Sequence, residues 1–309
     1  MEPINFYAGI FVFNPLDDES HLERIEKNIT SICIARDASP LMIFVDVLLN
    51  KSTTQTGEPG VGLKTQELVS NLQDKYGFQV RDFRGENSCS KGYRDLLEFG
   101  HVNIQAEKLV VFADDYIIPS FWFDTMQEAY ERVKDAGFIT PATCNVSQKN
   151  LVNSFQPHPS WDIKVSRKGD HNRWNYETTY KGVEIQHIED LAKTFLSLDI
   201  VDFVPPPSFE TTVFTRELIE KVGFFPEGYY SIFYDNDYFR IIQSKGIKGY
   251  IAKNCFAFHY GKGGTKAFYK ETADEKFIGS PVEHQLQADI ALWNARWGES
   301  VSPWWGSPD

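Results

Sequence analysis

The first 115 residues alternate between runs that read as buried strands and runs that read as amphipathic helices, and this alternation restricts the possible fold more than any other feature. Ile4 to Phe13 is β-branched and aromatic, as a buried strand should be, and Asn14-Pro15 ends it. Asp17 or Asp18 can cap the helix that follows, in which Leu22, Ile25, Ile29 and Ile32 share a face. Leu41 to Leu49 predicts a second strand, broken by the polar loop NKSTTQTGEPG. Lys64 to Lys75 places Leu68 and Leu72 at helical spacing, and Gly77 leads into a strand from Phe78 to Phe83. The order β-α-β-α-β belongs to a parallel sheet with helices on its faces.

A helix from about Ser90 to Phe99 then precedes a short apolar strand, Lys108 to Ala113, which stops abruptly at Asp114-Asp115. Open α/β sheets bind ligands outside the carboxyl ends of their strands, so the position of this acidic pair matters as much as its chemistry. Pro119 suits the first turn of a helix reaching about Arg132, and GFIT at Gly137 to Thr140 predicts another strand. From Cys144 to Pro207 the periodicity weakens, which marks an expected insertion over the site. Its aromatics Trp161, Trp174, Tyr176 and Tyr180 can stack on an acceptor or simply pack. Regular structure is expected again from Phe209 to Phe214, followed by a helix that Thr215 can cap, a helix from Tyr234 to Ser244 and a strand from Gly249 to Phe258. An amphipathic helix, about Val282 to Trp293, and a Trp-rich end form a C-terminal extension.

At 309 residues the chain can bury a large core. A formal net charge of −12 argues against an extended nucleic-acid footprint, although a divalent cation and local lysines could still hold a small phosphorylated ligand. The cysteines, Cys33, Cys89, Cys144 and Cys255, have no metal-type spacing, which fits a reduced, cytoplasmic protein. The N-terminal segment lacks the pattern of a targeting peptide, and no apolar run is long enough to span a bilayer.

Three clusters carry candidate chemistry. Asp114-Asp115 suits a Mg²⁺ or Mn²⁺ ion, because hard cations take oxygen ligands and keep positions open for phosphate; an exposed acidic turn is the plainer alternative. Asp235-Asn236-Asp237 opens a helix, where carboxylates are favoured by the unpaired N–H groups and the dipole; a carboxylate there that lines a cleft can also act as a general base. His259 ends a strand and precedes Gly261-Lys262-Gly263-Gly264-Thr265-Lys266, a turn with backbone N–H groups, two ammonium groups and a hydroxyl. That turn can wrap a diphosphate, and the imidazole can complete a metal shell or simply be a satisfied core side chain.

In this order the clusters resemble the GT-A fold nucleotide-sugar glycosyltransferases of glycosyltransferase family 2. VFN at Val12 to Asn14, FVDVLLNKST with Asp46 and Asn50, and ENSCSKGYRDLL with Asn87 and Gly92 match the family's donor half. Ala113-Asp114-Asp115 corresponds to its Asp-x-Asp element, with Ala113 where the first acid would be. ETTVFTRELIEKVGFFPEGYYSIFYDNDYFRI and HYGKGGT look like its acceptor side and its late histidine turn, with Tyr234 in place of the motif's Glu.

The resemblance implies an α/β GT-A fold: a Rossmann-like, mostly parallel sheet with helices on both faces. It implies a glycosyltransferase domain over 1–266, with a donor half to about 140, an insertion at about 144–207 and a catalytic part at about 208–266, and an extension over 267–309. It also implies an inverting, metal-dependent transfer from a nucleotide-diphosphate sugar to a hydroxyl of a glycan, small molecule or other acceptor. Asp235 would be the general base, and Asp237 would orient it or hold the acceptor. Asp115 and His259 would hold Mn²⁺ or Mg²⁺, with Asp114 beside the ribose or the metal. Lys262, Thr265 and Lys266 would meet the diphosphate, and Asn14, Asp46 and Arg84 are candidates for the base and ribose, with an ordinary loop or salt-bridge role as the alternative for each. An inactive nucleotide-sugar or glycan-binding relative and a nucleotidyltransferase are the alternatives.

Overall fold

The computed structural model describes residues 3–52, 60–84, 88–143, 183–202, 209–230, 233–260 and 281–298. The expected contributions of Asn87, Lys262, Thr265 and Lys266, of the aromatics at 161, 174, 176 and 180, and of the Trp-rich end beyond 298 lie outside the described residues.

The parallel half of the fold forms as its alternating pattern predicts. Strand β1 (Phe6–Val12) leads to helix α1 (Glu19–Ala38), β2 (Ile43–Asn50), α2 (Leu63–Tyr76), β3 (Gln79–Phe83), α3 (Cys89–Phe99) and β4 (Lys108–Ala113). β1 pairs in parallel with both β2 and β4, and β2 with β3. Next come a two-residue strand β5 (Tyr116–Ile117), α4 (Trp122–Arg132) and β6 (Ala136–Thr143). The later elements are α5 (Ile185–Lys193), β7 (Ile200–Asp202), β8 (Val213–Thr215), α6 (Arg216–Val222), α7 (Tyr234–Ser244), β9 (Lys248–His259) and α8 (Pro281–Trp297).

The sheet order is β3-β2-β1-β4-β8-β6-β9-β5, with β7 on the flank of β9. β8 runs against both β4 and β6, whereas β9 runs with β6. β3, β2, β1, β4, β6 and β9 therefore point the same way, and the sheet is mostly parallel, as expected. Their carboxyl ends form one edge, and Asp114, Asp115 and His259 lie along it.

Alternation along β1 divides the core between the two faces. Phe6, Ala8, Ile10 and Val12 pack with Ile25, Ile29 and Ile32 of α1 and with Trp122 and Met126 of α4. Tyr7 and Phe11 face the other way, onto Tyr93, Leu96 and Leu97 of α3 and the aromatics of α7. At Gly92 the helix backbone comes so close to β1 that a Cβ would collide with the Phe11 ring.

Several local readings change. Asp18 caps α1, accepting the His21 N–H at 2.9 Å, while Asp17 reaches across to the start of α2 and accepts the Lys64 and Thr65 N–H groups, each at 2.9 Å. α4 begins three residues after Pro119, whose carbonyl accepts the Trp122 N–H in the preceding turn. The strand expected at Phe209 to Phe214 is only Val213–Thr215, because Thr211 adopts a left-handed φ of 72°. Within the expected insertion, α5 and β7 are regular elements, and β7 pairs antiparallel with β9.

Candidate active site at the carboxyl edge of the sheet

β4 delivers Asp114 and Asp115 to the edge, where both are buried. Asp114 accepts the backbone N–H of Phe13 at 2.8 Å, which pins the end of β4 to the end of β1. Its other partner is His21 of α1, whose Nε2 lies 3.1 Å away. Burial works against protonation of His21, but Asp114 and then Asp115 raise its pKa above the ordinary histidine value. His21 was not among the residues singled out from the sequence. Its spacing from Ile25, Ile29 and Ile32 on the buried face of α1 was the available signal.

Asp115 faces the last strand. β5 and β9 pair Tyr116 with His259, and the Tyr260 N–H donates to the Asp115 carbonyl at 3.0 Å. This ladder puts His259 Nε2 3.3 Å from an Asp115 carboxylate oxygen, and the imidazole stacks on the Tyr116 ring with centroids 4.2 Å apart. Burial opposes ionisation of Asp115, yet His259, His21 and Arg24 hold its carboxyl below the usual range.

The segment leading into α7 is held near this edge by hydroxyls at the start of α3, which follows β3. The Ser88 side chain donates to the Tyr230 carbonyl at 2.9 Å, and Ser90 donates to the Tyr229 carbonyl, which fixes the segment just before α7. α7 opens with Tyr234, and Asp235 follows in its first turn. The Asp235 carboxylate accepts the Asn236 N–H at 2.8 Å. Although Asp235 keeps some surface, burial and then the nearby Glu210 charge push its pKa up to about 7. A carboxyl tuned to neutrality can exchange a proton with a substrate hydroxyl.

Asp237 takes a different role from the expected one. It is fully buried and accepts from Tyr229 Oη at 2.9 Å and Trp297 Nε1 at 3.0 Å, with Arg296 Nε at 2.7 Å. Its carboxylate anchors α8 to α7, so it is not presented to an acceptor. Asp289 of α8 adds a tie to the segment before α7, accepting the Tyr230 N–H at 2.7 Å.

The donor-side candidates also separate. Asp46 is fully buried in mid-sheet, bound by Tyr7 Oη at 2.6 Å and by Arg81 Nε and an Arg81 terminal nitrogen at 2.9 and 2.8 Å. It closes a structural ion pair, which corrects the expected ribose contact. Asn14 is buried too: its Nδ2 donates to Thr65 Oγ1 at 3.2 Å and its Oδ1 accepts the Asp18 N–H at 3.1 Å. It joins the loop after β1 to α2. Arg84 follows β3 at the open edge, exposed, with one nitrogen 3.0 Å from Asp82.

As cation ligands, Asp115 and His259 are a suitable oxygen and nitrogen pair, close enough to share one ion. Among the described residues no group of three or more His, Cys, Asp or Glu is placed to hold a metal. A cation would therefore take its remaining ligands from a phosphorylated substrate and water, as Mg²⁺ commonly does. Among the described residues no helix is long and apolar enough to cross a membrane.

No protein-family model matches the chain. A curated adenosine deaminase from Clostridium perfringens is 29% identical over 171 residues, which is 52% of this chain and 45% of that protein. The chain thus aligns with less than half the length of that relative. Among solved structures, S. aureus TarS 1-349 matches with a TM-score of 0.45 at 12% identity, over 96% of this chain and 72% of that one. The complex of TarS 1-349 with UDP-GlcNAc gives a TM-score of 0.46 at 11% identity, over 96% and 73% of the two chains. At these identities and TM-scores, likeness assigns no activity to this chain.

Proposed function

We propose that this protein is a nucleotide-sugar glycosyltransferase with Asp235 as its general base. The observation that carries the reading is the Asp115–His259 pair at the carboxyl end of β4, and the Asp235 carboxyl in the first turn of α7, raised to about 7, supports it. These are the two chemistries that transfer from a nucleoside diphosphate sugar requires: removal of a proton from the acceptor and charge neutralisation at the departing diphosphate.

In this reading Asp235, ionised, accepts the proton of an acceptor hydroxyl as that oxygen forms its bond to the anomeric carbon. The bond from that carbon to the diphosphate oxygen breaks, and the configuration inverts. Asp115 and His259 would hold a Mn²⁺ or Mg²⁺ ion, which when bound supplies positive charge to the diphosphate. Asp114, fixed by Phe13 and His21, shapes the floor beside that pair. Arg84, exposed at the end of β3, is the donor-side cation in this reading, and Lys262, Thr265 and Lys266 are the sequence's candidates for the diphosphate. The donor is a nucleotide sugar, and the acceptor is a hydroxyl of a glycan or small molecule.

A thermal-shift screen of nucleotide sugars with and without Mn²⁺ tests the reading, because a ligand that binds only the folded state raises the melting temperature. One donor should raise it more with Mn²⁺ than without. No response to any nucleotide sugar overturns the donor site, and a response without turnover favours a recognition protein, the reading that Ala113 and Tyr234 support.

A further inference from the structure

The segment entering β8 carries a carboxylate that the proposed mechanism has not used. β8 runs against β4, with Val213 opposite Val110, so the residues before Val213 climb toward the carboxyl end of β4, where Asp114 begins. The Thr211 N–H donates to the Val111 carbonyl at 2.8 Å, which fixes this climb. Thr211 is fully buried and holds a φ of 72°, a conformation that a β-branched residue adopts only when its surroundings impose it. Its hydroxyl donates to the Glu210 carbonyl, so the strained turn orients the residue before it. On the other side of Glu210, the Phe209 ring packs 5.5 Å from the ring of Tyr234. The Glu210 carboxylate accepts the Tyr234 hydroxyl at 3.1 Å, and Tyr234 is the immediate neighbour of Asp235.

We propose that Glu210, set by the Thr211 turn and bound to the first turn of α7 through the Tyr234 hydroxyl, is a positioning residue for Asp235, the neighbour of Tyr234, and acts on it through its charge. The inference rests on Asp235 being the base. The charge of Glu210 is felt at Asp235, Tyr234, Tyr93 and Cys89, so these groups line one electrostatic compartment. Asp114 and Asp289 act on the same compartment through Cys89, whose thiol burial pushes up to about 12, and Asp114 and Asp115 act through Tyr93. Cys89, Tyr93 and Tyr234 all titrate well above neutrality and stay uncharged at pH 7. Among the described residues, Glu210 is the charged group whose field reaches Asp235. A like charge disfavours ionisation of its neighbour, so loss of the Glu210 charge lowers the Asp235 pKa and weakens it as a base.

The test is carboxyl-¹³C NMR titration of the full chain labelled at aspartate, with the Asp235 signal assigned by its absence in Asp235→Asn. Asp235 should titrate near 7 in the native protein. In Glu210→Gln its midpoint should fall by about one pH unit, and Glu210→Asp, which keeps the charge, should restore most of the native value. A structural role alone would leave the midpoint unmoved. An unshifted midpoint in a folded Glu210→Gln protein overturns the proposal, as does an equal shift in Glu210→Asp. The titration needs neither donor nor acceptor, so absence of sugar transfer would defeat the functional reading and leave this result to stand on its own.

Discussion

His259 Nε2 stands 3.3 Å from the Asp115 carboxylate, although the first of these residues ends the last strand of the sheet and the second follows the fourth. The short β5 makes the meeting possible, because its pairing with β9 sets Tyr116 opposite His259. Removing either side of the pair should remove the cation-dependent part of donor binding. In Asp115→Asn and His259→Ala the extra thermal stabilisation by Mn²⁺ in the presence of nucleotide sugar should disappear, with donor affinity falling at least about tenfold. Isothermal titration with and without EDTA measures it.

Asp235→Asn should lower kcat by roughly a hundred- to ten-thousand-fold while leaving donor affinity nearly unchanged, since the base acts on the acceptor proton. If Asp235 is the base of the proposed transfer, kcat of the native protein should fall as the pH drops below about 7, where burial and Glu210 keep the carboxyl protonated.

The same raised pKa predicts a gain in stability on substitution. A carboxyl whose folded value lies above its unfolded value stabilises the fold below the unfolded pKa, and this contribution is lost as pH rises through the folded one. For Asp235 that window runs from 3.8 to about 7. Asp235→Asn should remove this pH dependence and be more stable than the native protein at pH 8, by on the order of 2–4 kcal/mol. Urea denaturation at pH 5 and pH 8 measures the difference.

Asp237→Ala should cost about 2–4 kcal/mol, because it leaves the Tyr229 hydroxyl, the Trp297 indole N–H and the Arg296 guanidinium without their shared acceptor. Arg296 is partly exposed, so Arg296→Ala should cost less than the loss of the fully buried carboxylate. Limited proteolysis should cut near α8 earlier in Asp237→Ala than in the native chain.

Asp46→Asn separates a structural role from a ligand role. The Arg81 guanidinium would lose its buried counter-charge, lowering stability by about 3 kcal/mol, while the folded protein should bind donor with unchanged affinity. Denaturation midpoints and donor titration on the same preparation decide it.

The parallel half of the fold was legible because each strand and helix there declares its own period, and Phe6, Ala8, Ile10 and Val12 alternate with Tyr7 and Phe11 as a doubly covered strand requires. The pairing of Asp115 with His259 was expected from resemblance and is present as a contact. Asp46 and Asp237 misled because a carboxylate in a motif looks the same whether it faces a ligand or a buried arginine; the partners, Arg81 and Arg296, lie far from them in sequence. Glu210 was not legible as a site residue. Its position depends on a left-handed turn at Thr211, a residue whose β-branched side chain signals strand.

Donor turnover tests the central claim most directly. Native protein with Mn²⁺, an acceptor panel and the nucleotide sugar that gives the largest thermal shift should release the nucleoside diphosphate and form a product inverted at the anomeric carbon. Asp235→Asn, folded and still binding the donor, should release almost none. Equal release by the two proteins, or retention of configuration in the product, would contradict Asp235 as the base of an inverting transfer.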